Sequence, residues 1–193
     1  MAILFAKTKQ GTVEGKPGWN RAISVFKGIP FAAPPTGQNR WRAPQPPAGW
    51  RGIRKCFDYG PIPYQNYEKT EHDVLVSGIE TFHHPIEEDC LYLNIWTPAE
   101  TPESGLPVAI YIHGGGFHMD YAFQNKHDGE GFAKRGCVFV TISYRLGAFG
   151  FLAHPQLEKE GRGAGNYGLL DQIAAVTWVK ENIRALELES KKL

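Results

Sequence analysis

Pro107-Val-Ala-Ile-Tyr-Ile-His-Gly-Gly-Gly-Phe117 is the stretch on which the fold turns. Val108 to Ile112 is an apolar run with the length and branching of a buried strand. Three glycines follow it after a single histidine. Glycine loses the most conformational entropy on ordering, so three together suggest a backbone that must approach something closely. In an arbitrary context such a run is a flexible turn. Here it stands at the carboxyl end of a strand, where open α/β sheets bind their ligands. Bare N–H groups at that place suit an oxyanion hole, in which they face the charge developing on an ester carbonyl oxygen.

Outward from this run, the C-terminal half alternates strands and helices. Leu91-Tyr-Leu-Asn-Ile-Trp96 and Cys137-Val-Phe-Val-Thr-Ile-Ser143 read as strands. Between them Glu130-Gly-Phe-Ala-Lys-Arg-Gly136 reads as a short helix closed by a glycine C-cap. Residues 169–193 are strongly helical. Leu169, Ile173, Val176 and Ile183 form one apolar stripe, widened by Leu170, Ala174 and Trp178. This order predicts an α/β sheet with parallel pairs and right-handed crossovers.

The first third differs in character. Gly11-Thr-Val-Glu-Gly15 and Ser24-Val-Phe-Lys-Gly28 read as short strands of an antiparallel meander. Six prolines from Pro30 to Pro47, with Trp41 and Trp50 close by, predict extended coil anchored on the surface by its aromatics. Residues 58–88 are polar and irregular and read as a long loop. No internal repeat or low-complexity linker interrupts the chain.

Composition narrows the function classes. The chain has 193 residues, with 42% hydrophobic and 12% aromatic, enough for a packed core. Its 21 basic and 20 acidic residues nearly cancel, and no basic stripe offers a surface to nucleic acid or an anionic membrane. The apolar stretch Ala2 to Ala6 is too brief for a signal peptide, and nothing later reaches transmembrane length. Cys56, Cys90 and Cys137 make an odd count without metal-ligand spacing, and Cys137 reads as a small core residue. A cytoplasmic location is expected.

Several ordered blocks resemble the type-B carboxylesterases, the family of carboxylesterases and cholinesterases within the α/β-hydrolase fold. Phe26-Lys-Gly-Ile-Pro-Phe-Ala32 with Pro34-Pro35, and Arg40-Trp41 with Pro44, are similar to the family's N-terminal signature. Glu88-Asp-Cys-Leu-Tyr-Leu-Asn-Ile-Trp96 resembles its second signature. Ser143-Tyr-Arg-Leu-Gly-Ala-Phe-Gly-Phe-Leu152 and Gly165-Asn-Tyr-Gly-Leu-Leu-Asp-Gln172 are similarly close. His-Gly-Gly-Gly runs form the oxyanion segment of lipases and esterases.

The resemblance implies a fold and a set of roles. The fold is the N-terminal part of an α/β-hydrolase over 1–193: a small antiparallel meander leading into a mixed, mostly parallel sheet with flanking helices. Gly115 and Gly116 would donate two oxyanion-hole N–H groups, with Gly114 shaping the turn. His113 and Phe117 would support or line the hole, or simply pack. Arg40 with Glu88, and Arg145 with Asp171, resemble the family's structural ion pairs; as isolated residues, all four could equally be solvated surface charges. No cofactor or metal is implied. The substrate would be a small-molecule carboxylic ester, cleaved by a serine acyl-enzyme route.

Departures from the family pattern carry equal weight. In secreted relatives a cysteine at Cys90 pairs with one slightly upstream, but Gly60-Pro-Ile-Pro-Tyr-Gln65 holds none and Cys56 lies earlier. A reduced Cys90 is therefore expected. Ser24, Ser77, Ser104, Ser143 and Ser190 all lack the two flanking glycines of a Gly-x-Ser-x-Gly elbow. The acid and histidine of the triad would follow the serine, so none of the histidines here is promoted to base by resemblance. The expectation is an esterase domain cut before its nucleophile, inactive alone, that self-associates or needs a complementing C-terminal portion. A catalytically dead binding or adhesion module is the alternative.

Two other patterns are set aside. Gly163-Ala-Gly-Asn-Tyr-Gly168 matches a dinucleotide fingerprint but follows the polar, loop-like stretch 155–162 rather than a buried strand. His83-His84 with Glu87, Glu88 and Asp89 provides no closed ligand set for a metal.

Overall fold

The computed structural model describes residues 3–65, 84–100, 104–163 and 165–186. Its strands are β1 (Phe5–Lys7), β2 (Thr12–Glu14), β3 (Lys16–Pro17), β4 (Ser24–Pro30), β5 (Ile53–Lys55), β6 (Ile62–Pro63), β7 (Ile86–Glu87), β8 (Tyr92–Thr97), β9 (Val108–Ile112) and β10 (Val138–Ile142). The helices are α1 (Glu130–Ala133), α2 (Gly147–Phe151), α3 (Pro155–Lys159) and α4 (Tyr167–Leu186), with single 3-10 turns at Gly37–Asn39 and Asn125–His127.

The main sheet has five strands in the order β3-β4-β8-β10-β9. β10 is the fourth of these strands, fully buried along its length, between β8 (antiparallel) and β9 (parallel). Alternation sorts its side chains. Val138, Val140 and Ile142 join Phe26, Leu93 and Ile95 in the core under Ala175, Trp178 and Val179 of α4. Phe139 faces the other way, with Trp96, Val25 and Ala133 of α1. Each of the valine, leucine, isoleucine and phenylalanine side chains among them contributes about 1.5–3 kcal/mol on burial. One polar chain crosses the three central strands: Asn94 Oδ1 accepts from Gly28 N–H (3.0 Å), and Asn94 Nδ2 donates to Thr141 Oγ1 (3.0 Å). Gly28 sits at the irregularity where the β4–β8 register shifts between Phe26 and Ile29.

A smaller sheet, β1-β2-β5, pairs β1 with β2 antiparallel and β2 with β5 parallel. It is tied to α4 by side chains: Asn182 Oδ1 accepts from Lys9 N–H (2.8 Å), and Trp178 Nε1 donates to Gln10 Oε1 (2.9 Å). Trp50 Nε1 donates to the Thr12 carbonyl (2.8 Å) and Trp41 Nε1 to the Ala148 carbonyl (2.9 Å), so both tryptophans of the proline-rich region anchor the coil.

The mixed α/β sheet matches expectation, with four differences of detail. Its parallel character within this chain rests on one pairing, β9 with β10, because only the stretch 113–137 makes the crossover that parallel neighbours need. Ser24 to Gly28 belongs to the main sheet as β4, not to the meander. β9 is an edge strand, leaving Val108 and Ile112 37% and 43% exposed. Finally, the predicted stripe of α4 is split: Leu169, Leu170, Ile173 and Val176 are exposed, Ala174 and Ile183 are partly buried against the core, and Trp178 is buried with Tyr167, Asp171, Ala175, Val179 and Asn182. The helix carries two apolar faces, and the polar partners of Asp171 and Asn182 decide which one turns inward.

Two short helices follow β10: α2, and α3, which occupies a segment that read as loop and is capped by His154 Nδ1 accepting from Gln156 N–H (3.1 Å). Of the long polar stretch, β6 and β7 pair in parallel, and 66–83 lie outside the described residues. No helix among the described residues is long and apolar enough to cross a membrane.

Candidate active site

The glycine turn leaves β9 at the carboxyl end of the β9–β10 pair. Gly115, Gly116 and Phe117 all take left-handed backbone angles (φ +98°, +60° and +67°). Gly115 has no choice of residue: an added Cβ would lie 2.0 Å from the Met119 carbonyl oxygen.

Several carbonyls of the turn are bonded internally. Gly115 C=O accepts from His118 and Met119 N–H (3.1 and 3.2 Å), and Phe117 C=O accepts from Gly147 N–H at the start of α2 (2.7 Å). Tyr144 Oη donates to His113 C=O (2.9 Å). By contrast, neither Gly115 N–H nor Gly116 N–H donates to a protein acceptor among the described residues. Two adjacent spare N–H groups on a left-handed stretch of backbone present positive partial charge outward.

His113 lies behind the turn rather than in it. It is 2% exposed and stacks on Tyr144 with ring centroids 4.4 Å apart. Its Nδ1 lies 3.0 Å from the Gly114 carbonyl, which only accepts, so Nδ1 carries the proton. Burial holds its pKa below the ordinary histidine value, against that hydrogen bond and Asp120, so the ring is neutral. Phe117 packs on Phe151 (4.8 Å) and stays half exposed. Gly114 and Gly116 are exposed, and Gly115 is half-buried.

The two ion pairs differ sharply. Arg145 and Asp171 are buried (side chains 3% and 0% exposed): Nη2 and Nε donate to the carboxylate at 2.7 and 2.8 Å, and the Arg145 backbone N–H adds a third bond at 3.1 Å. Arg145 Nη2 also reaches the Arg42 carbonyl (2.9 Å), fastening the proline-rich coil to the sheet. Burial pushes the Asp171 carboxyl up, and the three Arg145 donors oppose it. Arg40 and Glu88 form a two-pronged pair at 2.6 Å, but its side chains are 37% and 20% exposed. Glu88 hydrogen bonding raises the Arg40 pKa further, so the guanidinium stays charged.

One arrangement has no counterpart in the sequence reading. Gln65 reaches across to Asp120, at the far end of the turn. Its Oε1 accepts from Asp120 N–H (2.9 Å), and its Nε2 donates to Asp120 C=O (2.9 Å) and Pro63 C=O (3.0 Å). Fifty-five residues separate the two, so no local pattern reveals the contact.

All three cysteines are thiols. Burial pushes Cys56 up to about 12 and Cys90 well above its ordinary value, so neither is a nucleophile. No group of acidic, histidine and cysteine side chains among the described residues could hold a metal ion. His84 packs edge-on to Phe123 (4.8 Å), and His83 lies outside the described residues.

A family model described as the carboxylesterase family matches residues 4–187. Fumonisin B1 esterase of Sphingopyxis macrogoltabida is 45% identical over 183 residues, covering 94% of this chain and 32% of that protein. Para-nitrobenzyl esterase of Bacillus subtilis is 41% identical over 186 residues, covering 96% and 36%. A solved carboxylesterase of Geobacillus stearothermophilus superposes with a TM-score of 0.80 at 38% identity, covering 97% and 36%. The chain thus spans about a third of the length of the curated relatives it matches. Such neighbours make its fold the N-terminal portion of an α/β-hydrolase.

Proposed function

The chain belongs to the carboxylesterase family, and from that premise we propose that it supplies the oxyanion-hole segment of a serine-dependent carboxylic ester hydrolase. The observation that carries this reading is the glycine turn, where Gly115 and Gly116 N–H donate to no protein acceptor among the described residues. In the complete domain a serine attacks the ester carbonyl, and the carbonyl oxygen takes up the negative charge. Gly115 and Gly116 donate to it; collapse releases the alcohol and leaves an acyl-enzyme that water then hydrolyses. One such donor contributes about 2.7–4 kcal/mol to the transition state. Neutral His113 adds no cation, so the backbone donors carry the stabilisation from this side of the site.

These 193 residues contain no Gly-x-Ser-x-Gly elbow, so the nucleophile and its partners come from a complementing portion. The free edge of β9 and the exposed apolar face of α4 support that reading, since each offers a surface such a portion would cover. The chain alone is inactive. The test is hydrolysis of 4-nitrophenyl acetate by the purified chain, alone and after co-folding with the part of para-nitrobenzyl esterase that follows its matching third. Turnover at enzyme-like rates by the chain alone would overturn the reading. Recovered turnover that disappears with Gly115→Ala would support it.

A further inference from the structure

We propose that Gln65 is the positioning residue of the glycine turn, acting through Asp120. The proposal rests on reading that turn as the oxyanion segment. The turn runs from His113 to Asp120 and closes on itself: His118 and Met119 N–H bond back to Gly115 C=O, and the Met119 carbonyl lies over the Gly115 Cα. Its last residue, Asp120, is held in a left-handed conformation (φ +87°) that a residue with a Cβ adopts only when its surroundings impose it. Two sets of contacts impose it. Asp120 Oδ1 accepts from Tyr121 N–H (2.7 Å) and from Gln124 Nε2. Gln65 takes the backbone on both sides, accepting from Asp120 N–H and donating to Asp120 C=O, each at 2.9 Å.

A carboxamide presents a donor and an acceptor side by side and so imitates a neighbouring strand. Glutamate at this position keeps the acceptor but has no proton for the Asp120 carbonyl. Leucine offers neither. Gln65 is itself fixed, 8% exposed, with its second amide proton on the carbonyl of Pro63, the last residue of β6 (3.0 Å). Without the clamp Asp120 relaxes toward an ordinary backbone angle, the Met119 carbonyl leaves Gly115, and the spare N–H groups lose their common direction.

Amide hydrogen exchange read by mass spectrometry tests this in the whole chain, and needs neither turnover nor a monomer. In Gln65→Leu, the peptide covering 113–121 is expected to exchange at least tenfold faster, with peptides from β8 and β10 unchanged. Gln65→Glu is expected to fall between Gln65→Leu and the parent chain. An unchanged 113–121 peptide in a folded variant overturns the proposal. Equal acceleration of β8 and β10 does the same, because it marks Gln65 as a general stabiliser. Should Gln65→Leu not fold, Gln65→Glu decides alone, having nearly the same size while replacing the amide donor with an acceptor-only carboxylate oxygen. A chain that shows the exchange pattern but never supports ester hydrolysis leaves Gln65 in place and removes the esterase reading instead.

Discussion

Gly115 and Gly114 are neighbours with opposite tolerance for a methyl group. At Gly114 an added Cβ meets nothing within 4 Å, whereas at Gly115 it meets the Met119 carbonyl at 2.0 Å on a φ of +98°. Gly115→Ala should therefore cost about 1–3 kcal/mol in strain alone, read by urea unfolding, and Gly114→Ala almost nothing. Equal effects would show that the turn relaxes freely. Asp171 invites a second comparison. Asp171→Ala strands the Arg145 guanidinium in the core and should cost about 3–5 kcal/mol, while Glu88→Ala releases a half-exposed arginine into water and should cost far less. Glu130 carries the pH dependence. Its carboxylate accepts from Asn20 and Trp19 N–H (2.8 and 3.0 Å) and pairs with Lys134 (3.1 Å). Desolvation opposes ionisation there, but these donors outweigh it and hold the carboxyl below its ordinary value. A depressed carboxylate stabilises the fold fully above the unfolded pKa, about 4.3, and the contribution fades as pH falls through the folded value. The gap in urea midpoint between the parent chain and Glu130→Gln should thus be widest near neutrality and shrink below about pH 4. At this scale the glycines were legible, because a triple glycine after a strand has few uses. Gln65 was not, because its partner is remote in sequence.

Among the elements, α4 shows where periodicity stops being informative. The helix itself was plain from Leu169 onward, but counting apolar residues could not choose between its two apolar faces. Asp171 and Asn182 look like outward residues until Arg145, Lys9 and the Trp178 carbonyl are seen to satisfy them. β9 misled in a similar way: five apolar residues in a row describe a strand buried by a complete sheet, and the chain's own partner, β10, covers only one side of it. The exposed face of α4 should accept charge. Ile173→Lys with Val176→Lys is expected to shift stability by no more than about 0.5 kcal/mol, since both side chains already meet solvent. Ala175→Lys, on the buried face one residue before Val176, should instead prevent cooperative unfolding altogether, because it places an unpaired charge against Trp178 and the central strands. A melting curve for each variant checks the assignment of faces. Collapse of the Ile173/Val176 variant would mean that the stripe read from periodicity is the buried one after all.

For the molecule as a whole, the decisive asymmetry is between a closed side and an open one. The β4 end of the main sheet is finished by two-residue β3, and α4 seals one sheet face against β1 and β2. Among the described residues the β9 end finishes in an unpaired row of backbone groups, with Val108 and Ile112 exposed at the strand's ends and Leu169, Leu170, Ile173 and Val176 of α4 exposed as well. Strand order was the part of the fold that the sequence could not supply. β10 inserts between β8 and β9, a choice made by packing rather than by any local pattern. An unpaired apolar edge is a template for other strands, and charged side chains on an edge are the usual means of silencing one. The parent chain should therefore associate with rising concentration in sedimentation experiments. Val108→Lys with Ile112→Lys should shift it toward monomer, and adding Ile173→Lys and Val176→Lys should complete the shift without altering the far-ultraviolet circular dichroism. The edge and the helix face are expected to contribute separately, so each pair of lysines should give a partial effect on its own. A parent chain that remains monomeric at about a hundred micromolar would remove the edge as a driving force. It would also weaken the case that a complementing portion docks there, since one unpaired surface underlies both behaviours.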